Sequence, residues 1–130
     1  MGAMSHAEDT GVFVLMKHGG GVACLADLSA GRQWALAFST QEAARGFVAA
    51  TGADADRVLP ITLGEWFGRQ EEKGWPDLAI DPDPEAVRAH PLRIEADPAE
   101  HDIRCITREH VWGRSYEVAV RRREGEGRRA

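Results

Sequence analysis

The stretch Gln33-Trp34-Ala35-Leu36-Ala37-Phe38-Ser39-Thr40-Gln41-Glu42 decides the fold, because a strand ends within it and a helix begins there. Alternation along a strand sends successive side chains to opposite faces. The residues at 34, 36 and 38 are large and apolar, whereas those at 35, 37 and 39 are small. The large face therefore covers a core, and the small face favours the close approach of a helix.

Two helices are predicted from the residues at their starts. Ser39 and Glu42 have the S-x-x-E spacing of a capping box, and the helix that follows runs to about Thr51, before Gly52. Thr62 and Glu65 repeat the spacing, and the second helix ends near Lys73 and Gly74. Ile61 and Trp66 flank its start as a hydrophobic staple.

Strands are predicted on both sides of these helices. The apolar run at 12–16 and a second strand at 22–28 flank Gly19-Gly20-Gly21, since glycine reaches the positive φ angles that hairpin turns need. Residues 29–32 turn the chain into the third strand. Pro60 indicates an edge position for the strand at 58–61. A further strand at 78–80 precedes Asp81-Pro82-Asp83-Pro84, which is typical of a stiff, solvated connector.

The second half alternates apolar and polar residues in three runs, at 92–96, 103–107 and 116–120. Clean alternation favours antiparallel strands with one wet face. Trp112-Gly113-Arg114-Ser115 is predicted to be the hairpin that joins the last two runs.

These elements predict an α+β fold: a mixed or antiparallel β-sheet, two helices packed on it, and a C-terminal antiparallel β segment. A chain of 130 residues fits one domain, placed at residues 10–121. Met1-Gly2-Ala3-Met4 is typical of an expression leader, and residues 1–9 are expected to be a disordered N-terminus. The arginine-rich tail at 122–130 is expected to be disordered as well.

Cysteine usage and hydropathy predict a cytoplasmic protein. No apolar run approaches the roughly 18–20 residues of a membrane span, and no signal peptide is recognisable. Cys24 and Cys105 lie in strand-like runs without a C-x-x-C motif. Two buried, free thiols in a reducing compartment are therefore expected, with a single disulfide as the alternative.

The net charge of −5 is unevenly distributed. The last ten residues carry +3, the remainder −8, and residues 77–102 alone carry −6. Because phosphates require a basic face, an acidic body argues against nucleic acid as the main partner. The arginine tail is expected to be solubilising, although such a tail can also contact nucleic acid or an acidic membrane.

No catalytic, metal or cofactor signature is recognisable. His18-Gly19-Gly20-Gly21 matches the oxyanion-hole string of some esterases, but the nucleophile elbow G-x-S-x-G is missing, so a hairpin turn is predicted. No two histidines have the spacing that pairs them on a helix. Asp97, His101 and Asp102 could hold a cation, but an acidic loop facing water is the simpler interpretation. The carboxylates of Asp81, Asp83 and Glu85 lack the glycine and terminal glutamate of an EF-hand.

Four tryptophans are a large share for so small a domain. Trp34 belongs to the core by its pattern. Trp66, Trp75 and Trp112 lie at element ends, where aromatic side chains either cover a core or anchor an interface. These three are the candidate binding residues.

The order of motifs from residue 12 to residue 84 also carries a family resemblance. After the hairpin come Phe38-Ser39-Thr40-Gln41-Glu42-Ala43-Ala44, Leu59-Pro60-Ile61-Thr62-Leu63 and Leu78-Ala79-Ile80-Asp81-Pro82. This order resembles the N-terminal domain of SseB-like bacterial proteins, in which F-[ST]-[ST]-x-E-A starts a helix and a later strand ends in [IL]-N-P. Asp81 stands where the family has asparagine. The family is not known for enzymes, so the resemblance implies no catalytic residue.

The function expected from these observations is a bacterial binding or adaptor module that acts through contacts with a protein partner. One alternative is an immunity-type protein that neutralises a basic toxin through the acidic stretch. The alternative from a different class is a small enzyme with an unrecognised site.

Overall fold

Eight strands form one mixed sheet in the computed structural model, which describes residues 7–90, 93–98 and 103–113. This arrangement, with two long helices, confirms the predicted α+β class. The elements are β1 (Gly11–Met16), β2 (Cys24–Asp27), β3 (Gln33–Phe38), α1 (Gln41–Thr51), β4 (Arg57–Thr62), α2 (Leu63–Lys73), β5 (Leu78–Ile80), β6 (Arg88–His90), β7 (Arg93–Ala96), β8 (Arg104–Ile106) and α3 (Arg108–Gly113).

The central strand of the sheet is β3. Along one edge it pairs antiparallel first with β2 and then with β1, and along the other it pairs parallel with β5. Leu36 N–H donates to the Ala23 carbonyl at 3.0 Å on the first edge, and Ala35 N–H donates to the Asp77 carbonyl at 2.8 Å on the second. Outward from this centre, β4 joins β1, β7 joins β2 in parallel, β6 joins β7, and β8 joins β5.

Each face of the sheet carries one long helix and its own core. Ala35 and Ala37 of β3 share a buried cluster with Leu63, Trp66 and Phe67 of α2. The side chains at 34, 36 and 38 lie on the opposite face of β3 and share the second cluster with Ala44 and Phe47 of α1. Alternation along β3 therefore places α1 and α2 on opposite faces, with small residues under one helix and large ones under the other.

The start of α2 is the predicted capping box. Thr62 Oγ1 accepts from Glu65 N–H at 3.1 Å, and Glu65 Oε1 accepts from Thr62 N–H at 3.3 Å. The helix ends at Lys73, where Gly74 adopts φ 70°. A left-handed residue at this position is the usual glycine stop of a helix.

The start of α1 differs from the prediction by one residue. Its N-cap is Thr40, whose Oγ1 accepts from Ala43 N–H at 3.0 Å. Ser39 instead donates its N–H to Asp81 Oδ1 at 2.8 Å and its hydroxyl to Asp81 Oδ2. The predicted box with Glu42 was therefore wrong, because the carboxylate at the end of β5 binds the serine that the cap would have used.

The glycine turn is confirmed. Gly19, Gly20 and Gly21 have φ of 83°, 100° and 86°, a backbone that other residues rarely adopt. Lys17 N–H donates to the Gly21 carbonyl at 2.9 Å and closes the hairpin. The strand after the turn is shorter than predicted, since β2 begins only at Cys24.

The predicted hairpin at residues 112–115 was wrong in its first half. Trp112 and Gly113 lie in the helix α3, where Val111 N–H donates to the Thr107 carbonyl at 3.4 Å and Val111 is buried in the cluster under α2. The burial of the Val111 side chain explains why the chain forms a helix here. Residues 114–115, the predicted strand at 116–120 and the tail at 122–130 lie outside the described residues.

Residues 1–9 are predicted to lie outside the domain, but Ala7–Asp9 packs on it. Ala7–Asp9 forms a 3-10 helix, and Glu8 lies against Gly64 of α2. Residues 1–6 of the predicted N-terminal leader lie outside the described part of the chain.

Candidate functional site

An apolar groove lies between α1 and the first half of β4, on the α1 side of the sheet. It is lined by Leu15 of β1, by Val48 and Ala49 of α1, by Ala55 in the loop before β4, and by Val58 of β4. Its volume is about 340 Å³. Ligand pockets begin at roughly this size. We call it the α1–β4 groove.

The buried stripe of α1 beside the groove is narrow. Of the α1 residues only Ala44 and Phe47 are buried, whereas Ala43, Ala49 and Ala50 are exposed. The short side chain of Ala49 leaves the space beside the sheet unfilled.

Among the described residues, the strand beside the groove has no pairing partner along one backbone edge, which we call the free edge of β4. In the described part of the chain, β4 pairs with β1 and no other strand, as its proline predicts. Leu63 N–H donates to the Thr10 carbonyl at 2.9 Å, so Thr10 and Leu63 are a hydrogen-bonded pair of this antiparallel ladder. Every second pair along the ladder is then hydrogen-bonded in the same way. Alternate residues turn their backbone groups away from the partner, so those of Val58, Pro60 and Thr62 face the free edge.

The rim of the groove is charged. Arg45 of α1 and Arg57 of β4 are both exposed, and neither has an ion pair within the described residues. Asp56 also lines the rim, and its Oδ2 lies 3.9 Å from His18 Nε2. The rim therefore presents two arginines to a ligand, and one carboxylate that already faces a histidine.

A second, smaller cavity of about 140 Å³ is polar. Its lining includes Lys17, Cys24, Gln33, Asp54 and Arg93. Burial raises the pKa of the Cys24 thiol, and the nearby charge of Lys17 opposes this only in part. Because the thiolate is the nucleophile, a raised pKa disfavours nucleophilic chemistry.

The two cysteines are free, and they differ in burial. Cys105 is buried, as predicted, but Cys24 is only half-buried. The difference follows from the position of Cys24 at the polar cavity.

His18 joins the glycine hairpin to the loop that follows α1. Its Nδ1 lies 2.8 Å from Asp54 Oδ1, and this hydrogen bond, with the charge of Asp56, raises the pKa of His18. The same bond lowers the pKa of Asp54. This contact holds the loop whose residues line both cavities.

Two of the three candidate tryptophans, Trp66 and Trp75, pack on each other. Trp66 is 0% exposed, donates its Nε1–H to the Pro76 carbonyl at 3.0 Å and stacks on Trp75 with 4.1 Å between ring centroids. Burial leaves no surface of Trp66 for a partner to contact in the folded chain. Trp75 is half-buried over it. Trp112 lies in α3, and an interface role stays a prediction for Trp75 and Trp112.

Carboxylates of the acidic stretch have contacts within the fold. Asp77 accepts from Arg32 Nη2 and Gln70 Nε2, both at 2.8 Å, and Asp81 binds Ser39. Asp97 Oδ1 accepts from Ser29 Oγ at 3.2 Å, while His101 and Asp102 lie outside the described residues.

The described part of the chain has neither a metal-binding cluster nor a membrane-spanning helix. No group of three or more His, Cys, Asp or Glu side chains there is arranged to hold a metal ion. None of its helices has the length and apolar character needed to cross a bilayer.

Comparison with protein-family models, with curated proteins and with solved structures finds no match to this chain. The SseB-like resemblance therefore rests on the sequence motifs alone and stays a prediction.

Proposed function

We propose that this chain is a binding or adaptor module that contacts a partner protein through the α1–β4 groove. The observation that carries the proposal is the combination, at one place, of an open apolar groove, a free strand edge and two arginines without ion pairs in the described residues. Exposed apolar patches with a polar rim are typical of protein interaction sites. Free thiols at Cys24 and Cys105 agree with action in a reducing cytoplasm.

The polar cavity supports an enzyme less well than the groove supports a binding module. Its thiol has a raised pKa, and no histidine is among the residues that line it. A nucleophilic cysteine requires a lowered pKa or an adjacent base.

The immunity-type alternative requires an acidic surface that is free to meet a basic toxin. Asp77, Asp81 and Asp97 are instead engaged with groups of their own chain. The basic rim of the groove favours a partner whose contact segment is apolar and acidic.

The proposal is tested with peptides selected from a random display library against the immobilised full-length protein. Binding is then measured by fluorescence anisotropy for the wild type, for Ala49→Phe, which fills the groove, and for Ala50→Phe. Ala50 is exposed on the same helix but does not line the groove, so it is the matched control. We expect Ala49→Phe to weaken binding about tenfold or more, which is the loss of roughly 1.4 kcal/mol, and Ala50→Phe to leave it unchanged. Equal binding to all three proteins, by every selected peptide, would overturn the proposal.

A further inference from the structure

The free edge of β4 offers its hydrogen-bonding groups unevenly. Pro60 has no N–H, and the Thr62 N–H is already bonded to Glu65 Oε1 at 3.3 Å. Among the outward-facing residues, and within the described part of the chain, Val58 is therefore the one whose N–H is open to an added strand, while the carbonyls of Val58 and Pro60 can accept. The second half of the edge is protected, as proline commonly protects edge strands, and the first half is not.

Val58 is also the point at which the edge meets the groove. Its side chain lines the groove and packs with the cluster under α1. In an antiparallel ladder, the residue that exchanges both hydrogen bonds with Val58 has its side chain on the same face of the sheet. One residue of an added strand would thus bond the Val58 backbone and place its side chain beside Val58, toward the groove.

We propose that the partner binds as a short extended segment that pairs with the first half of β4 and inserts one large apolar side chain into the α1–β4 groove. This inference rests on the proposed function and specifies its partner. Main-chain hydrogen bonds supply affinity in such strand addition, and a side-chain pocket supplies specificity.

The charge of the rim adds one property to this segment. Arg45 and Arg57 outnumber Asp56, whose carboxylate already faces His18, so the rim favours a carboxylate near the apolar residue, since opposite charges across an interface steer association. A second copy of the chain is disfavoured on the same ground, because it would bring two arginine rims together.

The probe is a fluorescein-labelled, N-acetylated peptide amide of the sequence Asp-Thr-Leu-Thr-Asp, titrated into the full-length protein. N-methylation of the central leucine removes the N–H that would donate to the Val58 carbonyl. N-methylation of the following threonine is the matched control, because its N–H points away from β4. We expect the first modification to weaken binding about tenfold and the second to change it by less than about twofold. Replacing the leucine by alanine should also weaken binding about tenfold.

Each outcome of this titration is decisive. If both N-methylated peptides bind like the parent, strand addition is overturned, although loss of binding in Ala49→Phe would leave the groove proposal standing. No binding of the parent peptide at about 1 mM also overturns strand addition, whereas groove-dependent peptides from the display would still support the groove. A concentration-dependent dimer in sedimentation velocity that Ala49→Phe dissociates would replace the partner segment by a second copy.

Discussion

Asp27 is a buried carboxylate, 3% exposed, that organises the turn between β2 and β3. Its Oδ2 accepts from Trp34 Nε1–H at 3.0 Å, and its Oδ1 accepts from the backbone N–H groups of Ser29 and Ala30 at 3.1 and 3.0 Å. We expect Asp27→Ala to lower the free energy of unfolding by about 3 kcal/mol, because several donors lose their acceptor. Asp27→Asn retains one oxygen and should lose about half as much. Urea denaturation measures both, and a loss below about 0.5 kcal/mol in Asp27→Ala would contradict this role.

The hydroxyls of Thr40 and Thr62 cap the two long helices. Thr40→Ala and Thr62→Ala should each cost about 1 kcal/mol, because each removes the acceptor of a helix N–H. Gln41→Ala, next to the first cap but exposed, is the control and should change stability by less than about 0.5 kcal/mol. An unchanged denaturant midpoint in either threonine variant would show that the hydroxyl does not cap its helix.

His18 and Asp54 give stability a defined pH dependence. The pKa of His18 is raised, so its contribution is fully present below its ordinary value of 6.5 and is lost as pH rises through the raised value. The pKa of Asp54 is lowered, so its contribution is present above its ordinary 3.8 and is lost as pH falls through the lowered value. The pair therefore stabilises the fold between about pH 4 and 6.5, weakly, because both groups are exposed.

The measurement is the difference in Tm between the wild type and His18→Gln at several pH values. We expect this difference to favour the wild type at about pH 5.5 and to shrink by about pH 8.5. NMR titration should give a pKa above 6.5 for His18, returning toward 6.5 in Asp54→Asn. A His18 pKa at or below 6.5 in the wild type would contradict the contact.

At the scale of elements, α2 provides a matched pair of glycines. A Cβ added at Gly64 would lie 2.9 Å from Glu8 Cβ and 3.0 Å from the Glu8 carbonyl oxygen, whereas at Gly68 it would meet nothing within 4 Å. Gly68→Ala should raise the free energy of unfolding by about 0.5–1 kcal/mol, since alanine is the better helix former. Gly64→Ala should lower it by about 1–3 kcal/mol, because Glu8 must move.

Thermal and urea denaturation of the two variants check this prediction. If Gly64→Ala were as favourable as Gly68→Ala, the 3-10 helix Ala7–Asp9 would not pack on α2 as the structure has it.

Element ends were largely predictable from the sequence, and strand partners were not. The Thr62 capping box and the glycines at 52 and 74 act within a few residues of their helix, so the sequence shows them directly. Alternation shows which side chains share a face, but it carries no information about the neighbouring strand. Nothing local indicates that β7 joins β2 in parallel or that β8 joins β5. For the same reason the sequence could not show that Thr40, and not Ser39, caps α1. Asp81, which binds Ser39 in place of the cap, is 42 residues away along the chain.

At the scale of the whole molecule, the candidate site has the least visible sequence signal. Leu15, Val48 and Val58 come from three elements, and each has the pattern of an ordinary core residue. Only their assembly around the short Ala49 opens a groove. The tryptophans gave a clearer sequence signal, but Trp66 is fully buried. At this position the aromatic residue at the element end belongs to the core under α2.

The two cores are expected to unfold together. They share one sheet, and β8 contributes to both, since Cys105 lies in the cluster under α1 and Ile106 in the cluster under α2. Opening β8 therefore exposes both cores, and we expect Cys105 to react with a thiol reagent only through global unfolding.

Labelling of the single variants Cys24→Ala and Cys105→Ala over a urea series tests this coupling. In Cys24→Ala, the opening free energy of Cys105 should equal the global free energy of unfolding within about 0.5 kcal/mol. In Cys105→Ala, the half-buried Cys24 should react without global unfolding, but more slowly than a free thiol, because burial raises its pKa and lowers the thiolate fraction. Labelling of Cys105 that is fast and independent of urea would show that β8 opens on its own, so that the two cores do not form one cooperative unit.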